Sequence, residues 1–149
     1  MSNQLGKAIA LASKVFENKL DKGGQPYILH CIRLMLAVAP DDERMQIAIL
    51  HDAVEDSKDD SDPITLAILY QMGFSERVVT VVGILTHDKE NVSYDDYIKA
   101  IALNKDATEI KKEDLKDNSN ITRLKSLTKK DLDRTEKYHR AYVYLSKIK

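Results

Sequence analysis

Apolar residues recur at helical spacing from one end of the chain to the other. Over residues 2–19, Leu5, Ile9, Ala12 and Phe16 share one stripe, which predicts an amphipathic first helix. Asp21-Lys22-Gly23-Gly24-Gln25-Pro26 is a break, with glycine for the turn and proline as a helix-start signal. Tyr27 to Val38 is apolar on most sides and predicts a buried second helix. Beyond Pro40 a third helix is expected from Asp42 to Val54. Lys58 to Asp62 reads as a solvated loop, and Pro63 opens a short helix over 63–72 that stops at Gly73. Ser75-Glu76-Arg77 starts an apolar helix to Leu85, and His87 to Asn91 is a polar loop. Helices over 93–103, 106–127 and 129–147 complete the pattern. The expected fold class is all-α, a compact helical bundle, with one domain over 1–149 and neither repeat nor linker.

Composition narrows the function classes. Of 149 residues, 43% are hydrophobic and 32% charged, so a sizeable core and a well-solvated surface are both expected. Lys and Arg number 23 against 24 Asp and Glu, a net charge of -1 that argues against a nucleic-acid partner held through its phosphates. Five glycines and three prolines are too few for an all-β sandwich or barrel. The single cysteine, Cys31, excludes an internal disulfide and a cysteine-rich zinc site, and it suits the reducing cytoplasm. No apolar run reaches the roughly 18 residues of a membrane span, and the first residues lack signal-peptide character, so no membrane partner is expected.

The chemistry gathers around two of the four histidines. In Ile49-Leu50-His51-Asp52-Ala53-Val54-Glu55-Asp56, a continuous helix would put His51, Glu55, Asp52 and Asp56 at about 0°, 40°, 100° and 140°. Ile47, Leu50 and Val54 would lie behind them. Such a face is ordinarily just solvated charge. Two features weigh against that here. Adjacent His51-Asp52 offers nitrogen and oxygen ligands that suit Mn, Fe or Zn better than Mg or Ca. A second histidine, His30, lies on the preceding apolar helix, where a polar ring needs a partner. If the two helices pack antiparallel across Pro40, each histidine is about ten residues from the turn, and the pair can converge. A further ligand must then come from another helix.

These residues closely resemble the HD-domain phosphohydrolases, and more narrowly the (p)ppGpp hydrolase domain of Rel/SpoT homologues. The resemblance rests on Gly24-Gln25-Pro26-Tyr27-Ile28-Leu29-His30, on Leu50-His51-Asp52-Ala53-Val54-Glu55-Asp56, and on Lys111-Lys112-Glu113-Asp114-Leu115-Lys116-Asp117-Asn118. It covers residues 24–118 of a chain about the size of the stand-alone small alarmone hydrolases. It implies a divalent metal, usually Mn²⁺, held by His30, His51, Asp52 and Asp114. It implies that Glu55 and Asp56 position and deprotonate the attacking water. It also gives Asn118 a ribose contact and Lys22 a place in the substrate pocket. The implied reaction removes the 3′-pyrophosphate of a (p)ppGpp-like nucleotide. Three departures stand out. Asp21-Lys22 occupies the loop where the family commonly has Arg-Lys, Cys31 follows the first histidine in place of a proline, and Asp117 replaces a common histidine.

Alternatives stay open. The same fold could act on another phosphoester: a dNTP, a nucleoside monophosphate or an NADPH 2′-phosphate. A non-catalytic nucleotide-binding module is a second possibility, against which the intact ligands and carboxylate pair argue. Smaller expectations attach to other residues. His87 is a solvated loop residue that could line the site mouth, and His139 is a surface residue. Tyr94 and Tyr97 pack between helices rather than stack on a base. Lys111, Lys112, Lys116, Arg123 and Lys125 make one long helix basic, ordinarily a solvated face, yet one that could guide a polyanionic nucleotide inwards.

Overall fold

The computed structural model describes residues 3–148; residues 1, 2 and 149, including the expected first residue of helix one, lie outside it. The order is α1 (Gln4–Val15), α2 (Ile28–Ala37), α3 (Asp42–Leu50), α4 (Ala53–Asp56), α5 (Leu66–Gln71), α6 (Glu76–Leu85), α7 (Tyr94–Ala102), α8 (Lys105–Asn118), a 3-10 turn (Ile121–Arg123) and α9 (Lys129–Ser146). The all-α expectation holds among these residues.

Local chemistry sets most boundaries. Ser75, Ser93, Asn104 and Thr128 each cap a helix by accepting a backbone N–H two or three residues into it. Thr128 and Asp131 do so reciprocally. The helix expected from Pro63 starts later, at Leu66, because Thr65 supplies the cap by accepting from the Ile68 N–H.

α3 is the centre of the bundle. Gln46, Ile47, Ala48, Ile49 and Leu50 are all buried, and the helix packs against α1, α2, α6 and α8. α2, expected to be buried on most sides, instead leaves Leu29 and Leu36 exposed while burying His30, Cys31, Leu34 and Met35. Phe16, Leu34, Ile47, Leu50, Leu69, Leu85, Ile101, Ile110, Leu115 and Leu145 are fully buried in one continuous core.

Two expected helices break, and both breaks serve the site. The third helix does not run to Val54. It ends at Leu50, and His51 Nδ1 turns back onto the Ala48 carbonyl at 2.7 Å. Asp52 then stands at the N-cap position of the short α4 with its side chain making no capping bond. The last long pattern, expected over 106–127, stops at Asn118. Asn120 there accepts from the Thr122 N–H at 3.2 Å, a local bond that competes with helix continuation.

Candidate metal centre and substrate cavity

His30 on α2 and His51 at the end of α3 face each other, ring centroids 5.3 Å apart. The antiparallel packing across Pro40 thus produces the expected convergence. The break after Leu50 contributes as well: neighbours on a regular helix diverge by about 100°, whereas His51 Nε2 and Asp52 Oδ2 lie 3.0 Å apart. α8 adds Asp114, whose Oδ1 is 3.0 Å from His30 Nε2 and 3.4 Å from His51 Nε2. One ligand atom from each of His30, His51, Asp52 and Asp114 lies within 4.8 Å of all the others.

Both Nε2 atoms are buried without a properly directed hydrogen bond. Two imidazole nitrogens and two carboxylates converging without mutual satisfaction fit a divalent cation of the transition series. The other side of each ring is fixed, as such a role requires. His51 Nδ1 meets the Ala48 carbonyl, and His30 Nδ1 meets Asp117 Oδ2 at 2.6 Å. Asp117 is itself clamped by Arg33, which donates from Nε at 2.8 Å and Nη2 at 3.0 Å. The aspartate that replaces the common histidine is therefore the partner of His30, as its position three residues from Asp114 allows.

Charge in the group is strongly coupled. Burial would raise the pKa of Asp114, but Lys111 at 2.8 Å and the two histidines outweigh it and hold the carboxyl well below its ordinary value. Burial would lower the pKa of His51 and His30, but the adjacent aspartates raise both. Asp56 moves the other way. Burial, then the charges of Asp52 and Glu55, push its pKa up to about 7.

A cavity of about 550 Å³ opens onto this group. Lys22, Glu55, Asp56, Asp114 and Asn118 all line it, so the expected site residues are brought together. Glu55 Oε1 accepts from the His87 N–H at 2.9 Å, and Oε2 pairs with Lys89 at 3.3 Å. Asn118 Nδ2 donates to Asp114 Oδ1 at 2.9 Å. Lys22 stands exposed on the loop before α2.

That loop explains the departure at Asp21. Its Oδ1 accepts from the Gly23 and Gln25 N–H groups at 2.8 and 2.9 Å, while Oδ2 pairs with Arg123 at 3.2 Å. A Cβ on Gly23 would lie 2.4 Å from the Arg123 carbonyl oxygen, so the loop and the 3-10 turn meet too closely for a side chain. Arg123, expected on a solvated helix face, is carried to the cavity by the turn.

Other expectations change. Lys111 is no surface lysine; its side chain is 12% exposed and bonded to Asp114. His87 is no freely solvated loop residue, because it stacks on Tyr97 at 4.4 Å and lines the cavity. Tyr97 is packed as expected, its hydroxyl donating to the Leu85 carbonyl at 2.6 Å, and His139 is exposed. Sequence reasoning missed two contacts. The Tyr27 hydroxyl donates to Asp52 Oδ2 at 2.5 Å, and Lys19 donates to the Asp56 carbonyl and, at 3.1 Å, to Asp60. Tyr27 was legible in principle, one helical turn before His30; Lys19 carried no signal.

Known proteins bear on the fold. No family model matches the chain, and no curated protein matches it in sequence. A solved structure of a metazoan orthologue of SpoT superposes with a TM-score of 0.78 at 20% sequence identity. That protein hydrolyses ppGpp and plays a role in starvation responses, and the match covers 99% of this chain and 87% of the other. The chain shares the fold of that orthologue over nearly its whole length. Among the described residues, no helix is long and apolar enough to cross a membrane.

Proposed function

We propose that this chain is one metal-dependent phosphohydrolase domain that removes the 3′-pyrophosphate of (p)ppGpp-like alarmones in the cytoplasm, releasing pyrophosphate and GDP or GTP. The observation that carries this is the convergence of His30, His51, Asp52 and Asp114 on a cavity also lined by Glu55 and Asp56. The activity of the SpoT orthologue sharing the fold supports the choice of substrate.

His30, His51, Asp52 and Asp114 hold the cation, for which Mn²⁺ is the proposed identity. When bound, such a cation supplies charge neutralisation for the phosphate and acidifies water. Asp56, with its pKa pushed towards neutrality, is the carboxylate suited to take that water's proton. Glu55, pinned by the His87 N–H and Lys89, orients the same water from the second side. Lys22 meets the leaving pyrophosphate. Asn118 meets the ribose through its carbonyl oxygen while its amide nitrogen steadies Asp114.

The test is incubation of Mn²⁺-loaded protein with alarmones, dNTPs, nucleoside monophosphates and NADPH, with products identified. Pyrophosphate released from a 3′ position supports the proposal. Orthophosphate or triphosphate from the other substrates assigns a different phosphoester, and binding without turnover assigns a non-catalytic module.

A further inference from the structure

The cavity holds more unsatisfied polar atoms than a metal accounts for. His30 Nε2, His51 Nε2, Tyr94 Oη and Arg123 Nε are all buried without a hydrogen-bond partner among the described residues. A cation satisfies the two imidazoles. It leaves Tyr94 and Arg123 as they are, and both line the same cavity. Native proteins leave few buried polar groups unpaired, because each one forfeits its hydration.

Both leftover groups are donors. The Arg123 guanidinium keeps its protons, and two of its nitrogens are already committed: Nη1 to Asp21, and Nη2 to the Asp117 carbonyl at 2.5 Å. Burial pushes the Tyr94 pKa up to about 12, so its hydroxyl stays protonated. The surroundings of Tyr94 are cationic. The Lys137 ammonium lies 4.4 Å over its ring, and Lys111 lies over the ring of Tyr97, which is itself 6.0 Å from Tyr94. Lys137 has no carboxylate partner among the described ion pairs, and Lys89, Lys111 and Arg134 repel its charge. Arg123 has the carboxylates of Asp21 and, at 3.4 Å, Asp117 beside it, yet its Nε–H and the Tyr94 O–H are both donors without an acceptor. The Lys137 ammonium next to Tyr94 favours an acceptor that is anionic and has several oxygens.

We propose that Tyr94 and Arg123 are substrate-binding residues, the Tyr94 O–H and the Arg123 Nε–H donating to oxygens of the substrate's phosphate groups. This rests on reading the cavity as a phosphoester site and extends that reading to two residues outside the resembling motifs. It gives Tyr94 a different role from helix packing alone, since packing makes no use of the hydroxyl.

Calorimetric titration of the Mn²⁺-loaded protein with inorganic pyrophosphate tests it. Tyr94→Phe removes one oxygen, and Arg123→Lys keeps the charge but loses Nε. Each variant is expected to weaken pyrophosphate binding about 10- to 100-fold, the range for a hydrogen bond to a charged group. Tyr94→Phe should melt no lower than the parent, because it discards only an unpaired hydroxyl, so the loss cannot come from misfolding. Unchanged affinity in Tyr94→Phe, or no pyrophosphate binding by the parent, overturns the proposal. The two readings fail separately. A parent that cleaves no alarmone but loses pyrophosphate affinity through Tyr94→Phe keeps the donors and drops the substrate. Normal alarmone turnover and binding in both variants keeps the substrate and drops the donors.

Discussion

Asp114 and Asp56 border one cavity under opposite electrostatic loads, and their expected roles divide accordingly. Asp114 is compressed between Lys111, His30, His51 and the Asn118 amide, all of which favour its ionised form. It is suited to holding a cation and unsuited to accepting a proton. For Asp56, burial and then the charges of Asp52 and Glu55 outweigh His51 and Lys19 and raise its pKa to about 7, where a carboxylate can exchange a proton near neutral pH. Asp114→Asn should therefore abolish metal binding, while Asp56→Asn should keep the metal and lower turnover by about 10²–10⁴-fold. Asp117→Asn, which leaves the ligands intact but weakens the hold on His30, should cost about 10- to 100-fold in metal affinity. Metal analysis and steady-state rates on the three purified variants check the ordering. Loss of metal in Asp117→Asn with retention in Asp114→Asn would reverse the two assignments.

At the scale of elements, a second carboxylate ties the helices that carry the site. Asp106 on α8 accepts from Arg44 on α3 at 2.9 Å and from Arg77 on α6 at 2.8 Å. The Arg77 hydrogen bond, aided by Arg44, outweighs burial and lowers its pKa to about 2. A carboxylate depressed in the folded state contributes stability above its ordinary pKa and loses it as pH falls through the folded value. Asp106→Asn should accordingly destabilise the protein by about 1–2 kcal/mol at pH 7. The gap should close as pH is lowered from about 5 towards 2. Urea unfolding of parent and variant across that range measures this, and a gap independent of pH would mean that the contribution is packing and not charge. The elements themselves were largely legible. Their caps are short-range chemistry, Ser75, Ser93 and Thr128 meeting N–H groups three residues on. The breaks at His51-Asp52 and after Asn118 were not legible, because apolar periodicity continues through both.

For the whole molecule, a cation held by His30, His51, Asp52 and Asp114 would act as a clamp, since these residues come from α2, the α3–α4 junction and α8. A ligand that binds only the folded chain raises stability by about 2.7 kcal/mol at a hundredfold excess over its Kd. For a chain of this size, that corresponds to ~5–10 °C in Tm. Chelation should lower the Tm by this amount, and Mn²⁺ should restore it better than Ca²⁺, because histidine nitrogens disfavour all-oxygen cations. A Tm indifferent to chelator and metal would remove the clamp. By itself the sequence determined the all-α class, most helix starts and the identity of the clustered residues His30, His51, Asp52, Asp114, Glu55 and Asp56. The class and the helix starts follow from periodicity and caps, which act over a few residues, and the clustered residues from the resemblance of their motifs to those of the HD-domain phosphohydrolases. Only the tertiary structure decided that Asp117 serves His30 and that Lys111 is bound to Asp114. It alone turned Arg123 from a helix face to the cavity and left the hydroxyl of Tyr94 without a partner. Each of these depends on which groups meet across α2, α7, α8 and the loop before α2. That is a matter of packing between segments far apart in the chain, which no local pattern encodes.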